Sequence, residues 1–297
     1  MIAALSVLFL AAAVCTGISV YVGWQLTHPA KKPLDESPED YGLAYENIQF
    51  YSREDRVELS GWFLPPRSSS LQTTIIFAHG YRGNRLEEKL PALSLAKSLT
   101  EAGYNVVMFD FRNSGESGGN LTSVGLYETR DLLGAVDWVK QHHPGKIGVI
   151  GFSMGAVTAI LAAAEEPDIA AVVADSPFSR LGPYLRENLP VWSHLPNFPF
   201  TPLIMTIMQP ITGIDVEQVD AVAAVGRVYP RPVLFIHSRD DDTIPYENSE
   251  LLRSQHPDRF ELWLSSGADH VYTYRLYPEE YTERVMRFFA TQLDFSS

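Results

Sequence analysis

The chain has 297 residues, is 45% hydrophobic and 20% charged, and has a formal net charge of −13. That balance belongs to a folded globular protein and excludes a disordered one; the acidity, with no Lys/Arg-rich stretch, excludes a nucleic-acid partner, which needs a basic stripe. A single cysteine, Cys15, excludes a disulfide framework and a thiolate metal site.

No Asp, Glu, Lys or Arg precedes Lys31, and Ile2 to Trp24 is apolar apart from Ser6, Thr16 and Ser19. As a helix this run measures roughly 34 Å, enough to cross the hydrocarbon layer of a bilayer. Tyr21 and Trp24 stand where interfacial aromatics belong, with Lys31 and Lys32 just beyond. A cleaved signal peptide is the competing reading, but the missing basic n-region and the length of the run favour an uncleaved transmembrane anchor over residues 1–27. The expectation is a single-pass protein of the cell membrane, with flanking charges too balanced to fix the side of the remaining chain. Residues 28–44, with Pro29, Pro33 and Pro38 among charged side chains, read as an extended tether. Residues 45–297 are enough for one α/β domain with a sizeable core.

Within that domain, Asn47–Ser52 and Arg56–Leu64 alternate in polarity about the turn Arg53-Glu54-Asp55 and predict an antiparallel pair. Thr73–Ala78 is a buried strand ending in His79-Gly80-Tyr81, and the pattern over Leu86–Ala102 predicts a helix stopped by Gly103. Strand Asn105–Phe109 runs into a polar loop, Asp110 to Gly119, and Leu126–His142 predicts a helix. The apolar run Lys146–Ile150, rich in β-branched residues, leads into Gly151-Phe152-Ser153-Met154-Gly155, and Ala156–Ala164 follows as a small-residue helix. Ala170–Ala174 is another strand, ending at Asp175. Residues 178–228 mix prolines with Trp192, Phe198 and Phe200 and predict an insertion of short helices. Strand Val233–Ile236, a helix near Glu247–Arg253, strand Phe260–Leu264 and an amphipathic helix over Pro278–Leu293 complete the chain. Strands alternating with helices predict a mostly parallel sheet covered on both faces, with ligands at the carboxyl ends of its strands.

A sharp strand-to-helix turn through Ser153 is the context that gives G-x-S-x-G chemical meaning. The glycines flank a serine held in a strained conformation, and the following helix N-terminus favours negative charge developing beside the hydroxyl. By average residue usage the pentapeptide alone turns up in about one chain in ten of this length, so its partners decide. A serine hydroxyl is a poor nucleophile until an imidazole takes its proton, and that imidazole needs an anion to set its tautomer. His270 follows a strand end, and Asp240-Asp241-Asp242 follow another, in the order Ser…Asp…His. Asp175 also ends a strand and is a rival acid. Taken alone, His79 and His237 read as hydrogen-bonded structural histidines, and Asp110 with Arg112 as an ion pair shaping its loop.

On these motifs the chain resembles the α/β-hydrolase superfamily of serine hydrolases, and within it the bacterial membrane-anchored ABHD13-like esterases. The resemblance runs from about Tyr45 to the C-terminus. It rests on His79-Gly80, the loop Asp110-Phe111-Arg112-Asn113-Ser114-Gly115-Glu116-Ser117, the Gly151–Gly155 elbow, His237-Ser238-Arg239-Asp240-Asp241 and Gly267-Ala268-Asp269-His270; Ser238 stands where the family usually has glycine. It implies an α/β-hydrolase fold, with a mostly parallel eight-stranded sheet, helices on both faces and a small helical cap over residues 178–228. It also implies a Ser153–Asp241–His270 triad, the acid counted from His237 and from Pro245, and an oxyanion hole of the Tyr81 and Met154 backbone N–H groups. The implied reaction is cleavage of a carboxylic ester through an acyl-enzyme, on a small-molecule or lipid-like acyl substrate, with no metal or organic cofactor. Met205 and Met208 would suit an acyl chain. A peptidase or thioesterase on the same triad, and a membrane-tethered binding protein without turnover, are the alternatives.

Overall fold

The computed structural model describes residues 2–67 and 71–294. A long helix, α1 (Ile2–Thr27), precedes the antiparallel strands β1 (Glu46–Tyr51) and β2 (Glu58–Leu64), then β3 (Thr73–Ala78), α2 (Ala92–Glu101), β4 (Asn105–Phe109) and α3 (Glu128–His142). The second half of the domain runs β5 (Lys146–Phe152), α4 (Met154–Glu165), β6 (Ile169–Asp175), then three helices, α5 (Leu181–Ser193), α6 (Asn197–Thr212) and α7 (Ala221–Val228). It continues with β7 (Val233–Ser238), α8 (Glu247–Ser254), β8 (Phe260–Ser265), α9 (Thr273–Leu276) and α10 (Pro278–Phe289).

The eight strands form one sheet in the order β1-β2-β4-β3-β5-β6-β7-β8. β1 and β2 pair antiparallel, as do β2 and β4, and every pair from β4 to β8 is parallel. Successive side chains on a strand face opposite ways, so each buried strand feeds two cores. Ile76, Val107, Val149 and Val172 pack with Leu132, Val136, Ala159 and Ala224 from α3, α4 and α7. Their neighbours Ile75, Val106, Ile150 and Val173 face the other way, onto Leu95 and Leu99 of α2 and Val285 and Phe289 of α10. The near-continuous apolar strands seen in the sequence are thus those buried on both faces.

Two expectations are corrected. The helix predicted from Leu86 begins only at Ala92, because Glu87 has φ 44° and Pro91 stands at the helix N-terminus; a proline is well placed at a helix start but cannot sit inside one. Asp110 and Arg112 do not pair. Asp110 accepts from Arg85, at 2.6 Å from Nη2 and 2.7 Å from the backbone N, while Arg112 holds Asp131 and Asp55, each at 2.7 Å. Arg85 and Asp110 are both fully buried, and losing one partner of such a pair leaves an uncompensated charge costing about 3–5 kcal/mol.

The inserted helices lie over the carboxyl ends of the strands, and α6, at 16 residues with a kink at Phe198, is longer than the short helices expected. α1 is long and apolar enough to cross a membrane. Residues 28–44 run along the domain: Asn113 Nδ2 donates to Pro29 O at 3.2 Å, Asn84 Nδ2 to Pro33 O at 3.0 Å, and Lys32 pairs with Glu88 at 2.6 Å.

Candidate active site

β5 ends at Phe152 and α4 starts at Met154, so one residue makes the whole turn. Ser153 has φ 53° and ψ −115°, a conformation that L-residues rarely adopt. The two glycines are required by space: a Cβ on Gly151 would strike the Gly155 carbonyl, and one on Gly155 would strike the Ala78 carbonyl at the end of β3. The Ser153 N–H donates to Asp175 O at 2.8 Å, which ties the elbow to β6.

His270 lies in the loop between β8 and α9. Its Nε2 is 2.8 Å from Ser153 Oγ and its Nδ1 is 2.7 Å from Asp241 Oδ2. Asp241, in the loop after β7, is held from every side. Oδ1 accepts from the Thr243 and Ile244 N–H groups at 2.9 and 2.8 Å, and Oδ2 accepts from His237 Nε2 at 3.1 Å as well as from His270. Burial alone would raise this carboxyl; the hydrogen bonds from His237 and His270 outweigh it and hold the group well below the usual carboxylate range. Asp241 therefore stays ionised, and an ionised acceptor fixes the proton on His270 Nδ1 and leaves Nε2 free to take one from Ser153.

The neighbouring carboxylates are engaged elsewhere. Asp240 accepts from Gly267 N at 2.6 Å, and Asp242 is exposed and accepts from Thr243 Oγ1 at 3.1 Å. Asp175 points to α10: Tyr281 OH donates to it at 2.9 Å and Ser176 Oγ at 2.9 Å, and burial pushes its carboxyl up to about 6. Of the candidate acids, only Asp241 reaches the imidazole.

His79 is structural, as read: its Nδ1 lies 2.8 Å from Gly80 O and its Nε2 accepts from Phe111 N at 3.0 Å. His237 is structural too, but its partner is the acid. Its Nδ1 meets Ser249 Oγ at 2.7 Å, and its Nε2 meets Ile244 O at 2.9 Å together with Asp241. Two acceptors at Nε2 place the proton there. The motif beginning at His237 carried this signal, but a histidine taken alone does not show what it touches.

The Met154 and Tyr81 N–H groups are the expected donors to an anion developing beside Ser153. Met154 is the first residue of α4, so its N–H lies ahead of any intrahelical acceptor. Tyr81 follows Gly80 at the end of β3, where a Cβ on Gly80 would stand 3.6 Å from Ser153 Cβ. The Gly80 N–H is claimed by Glu87 Oε2 at 2.5 Å, and burial raises that carboxyl to about 7. Glu87 was invisible in the sequence because it lies in the stretch predicted as helix. Its positive φ is what turns the carboxylate back toward Gly80.

A cavity of about 710 Å³ opens onto Ser153 and His270, and Leu189, Ile204, Met205 and Met208 of the inserted helices line it. That volume is in the range of small-molecule sites, and its lining is mostly apolar.

Burial pushes the His270 imidazole below its ordinary value, against the pull of the Asp241 carboxylate. General-base work needs the neutral ring, so activity should be present at neutral pH and be lost as pH falls through the His270 pKa. The acid limb of kcat/KM, which reports the free enzyme, is expected to have its midpoint below the ordinary histidine value of about 6.5. A midpoint above that value would contradict the assignment.

Comparison with known proteins agrees with this architecture. The model of the X-Pro dipeptidyl-peptidase (S15) family matches residues 55–275. The uncharacterized protein YqkD of Bacillus subtilis is 32% identical over 235 residues, 78% of this chain and 75% of that protein. The lysophosphatidylserine lipase ABHD12 of Danio rerio is 25% identical over 236 residues, 71% of this chain and 58% of that protein. Among solved structures, an esterase of Pyrococcus furiosus superposes with a TM-score of 0.75 at 31% identity, covering 90% of this chain and 98% of the esterase.

Proposed function

The chain belongs to the X-Pro dipeptidyl-peptidase (S15) family and is an α/β-hydrolase-fold serine hydrolase, and on that premise we propose that it cleaves carboxylic esters of apolar acyl groups through an acyl-enzyme on Ser153. The observation that carries the proposal is the hydrogen-bonded chain Ser153–His270–Asp241 at the mouth of an apolar cavity. Ser153 Oγ attacks the acyl carbon as its proton passes to His270 Nε2. The resulting oxyanion lies between the Tyr81 and Met154 N–H groups, a well-aimed donor of this kind being worth about 3 kcal/mol in barrier height. Collapse expels the alcohol, which takes the proton from His270, and water then attacks the acyl-enzyme with His270 as base. The chain's own residues supply each of these roles.

The 31% identity to an esterase over nearly the whole chain supports an ester substrate. The family's name favours a second reading, a peptidase on the same triad. p-Nitrophenyl acyl esters and Xaa-Pro p-nitroanilides separate the two. Turnover of the esters with no measurable release of p-nitroaniline from the Xaa-Pro anilides is expected. Equal or faster cleavage of the amide would overturn the ester reading.

The same proposal keeps α1 as an uncleaved single-pass membrane anchor. Its last residues are built into the domain: Tyr81 OH donates to Leu26 O at 2.6 Å and Thr122 N to Thr27 O at 2.8 Å. A leader cleaved beyond Thr27 would take these acceptors with it.

A further inference from the structure

α1 is two different surfaces end to end. Residues 2–18 are exposed apart from half-buried Cys15, with Ile2 at 81% and Phe9 at 78%. Toward the other end Ser19 and Gly23 are buried. Gly23 lets α6 come close, since a Cβ there would displace the Met208 side chain. Val22 and Leu26 join Leu189, Ile204 and Met208 in one apolar cluster. Val22, Gly23 and Leu26 also line the cavity that opens on Ser153 and His270.

The free part of the helix is short. Its seventeen residues measure roughly 26 Å, against about 30 Å of hydrocarbon in a bilayer. A helix that spans the whole hydrocarbon layer therefore takes about one turn of its packed half to the membrane boundary, beside α6. The inserted helices expose apolar side chains of their own, Phe198 at 82% and Val191 at 64%. Depth in the bilayer, not a flexible stalk, then sets where the cavity lies.

We propose that the C-terminal half of α1 is a substrate-binding element: Val22, Gly23 and Leu26 form one wall of the acyl pocket, and the site takes a long acyl chain from an ester resident in the membrane that α1 spans. This rests on the ester-hydrolase reading of Ser153 and His270. The chain of the substrate lies between α1 and α6, and its ester reaches Ser153 at the inner end. Tyr81 joins the two functions, since its hydroxyl is tied to α1 through Leu26 O while its backbone stands beside the elbow.

The test uses the full chain in phosphatidylcholine nanodiscs, with p-nitrophenyl palmitate and p-nitrophenyl acetate as probes. Val22→Trp, which fills the wall, should lower the palmitate-to-acetate ratio of kcat/KM by at least about tenfold, the scale of excluding methylenes from an apolar pocket. Leu26→Ala, which cannot crowd the fold, should raise the stearate-to-palmitate ratio of kcat/KM, read with p-nitrophenyl stearate as a third probe. A second arm supplies the palmitate ester in micelles to the chain held in detergent. The wild-type ratio should be higher when both enzyme and ester share a bilayer, and an equal ratio would point to a soluble ester and overturn the membrane source. Ratios unchanged in both variants would overturn the role of α1 while Ser153 still reacts with a small fluorophosphonate. Absence of both ester turnover and labelling in the wild type would overturn the hydrolase reading beneath it.

Discussion

Ser153→Ala is expected to lower ester turnover by about 10⁶, the scale on which removal of a triad nucleophile acts. In the proposed mechanism the hydroxyl oxygen bonds to the acyl carbon, and its proton passes to His270 Nε2, 2.8 Å away. The fold should be untouched. Alanine keeps a Cβ in the same strained backbone, φ 53°, and the contacts that force the turn come from Gly151 and Gly155. Turnover measured with p-nitrophenyl butyrate, beside a thermal unfolding curve, checks both halves. A variant that kept more than about one part in a hundred of the activity would contradict the role, since 10² is the scale of losing one oxyanion donor and not the nucleophile.

Asp241→Asn is expected to cost about 10⁴ in turnover, as the same change does in the serine proteases. Asp241 Oδ2 accepts from both His237 and His270, at 3.1 and 2.7 Å. Oδ1 is already occupied by the Thr243 and Ile244 N–H groups, so the asparagine amide would be turned toward the two imidazoles. A donor then faces His270 Nδ1, the ring takes the opposite tautomer, and Nε2 carries a proton just where it must accept one. Asp175→Asn should fall below about tenfold, or 1.4 kcal/mol, because Asp175 is bonded to Tyr281 and Ser176. Asp240→Asn should be similarly mild, since an amide oxygen still accepts from Gly267 N. Kinetics of the three variants under one set of conditions decide the matter. A crippled Asp175→Asn beside an active Asp241→Asn would move the acid to the end of β6.

The sequence showed where chemistry could be placed, because strand ends are local features. Short apolar runs ending at Ile150, Ala174, Ile236 and Leu264 mark the strands, which the structure extends by one or two residues, and Ser153, Asp241 and His270 stand past the ends of three of them. What the sequence hid depends on contacts between distant stretches. The Asp110–Arg85 pair joins residues 25 apart, and no spacing rule favours it over Arg112, two residues away. Glu87 sits in a run whose composition is helical, and it meets Gly80 from a positive-φ turn that precedes the helix. α1 reads as an anchor because hydropathy reports only what a segment could bury, not the partner it finds. Gly23 and Met208 are far apart in sequence, and only the packing of α1 on α6 brings the helix to the cavity.

The reactivity of one side chain, Ser153, decides whether this protein is the serine hydrolase proposed. Incubating the full chain with a fluorophosphonate and mapping the adduct by peptide mass spectrometry tests it without choosing a substrate. A single adduct on Ser153, slowed strongly in Asp241→Asn and at pH values where His270 is protonated, is the predicted result. No adduct, or an adduct on another serine with Ser153 unmodified, would contradict it.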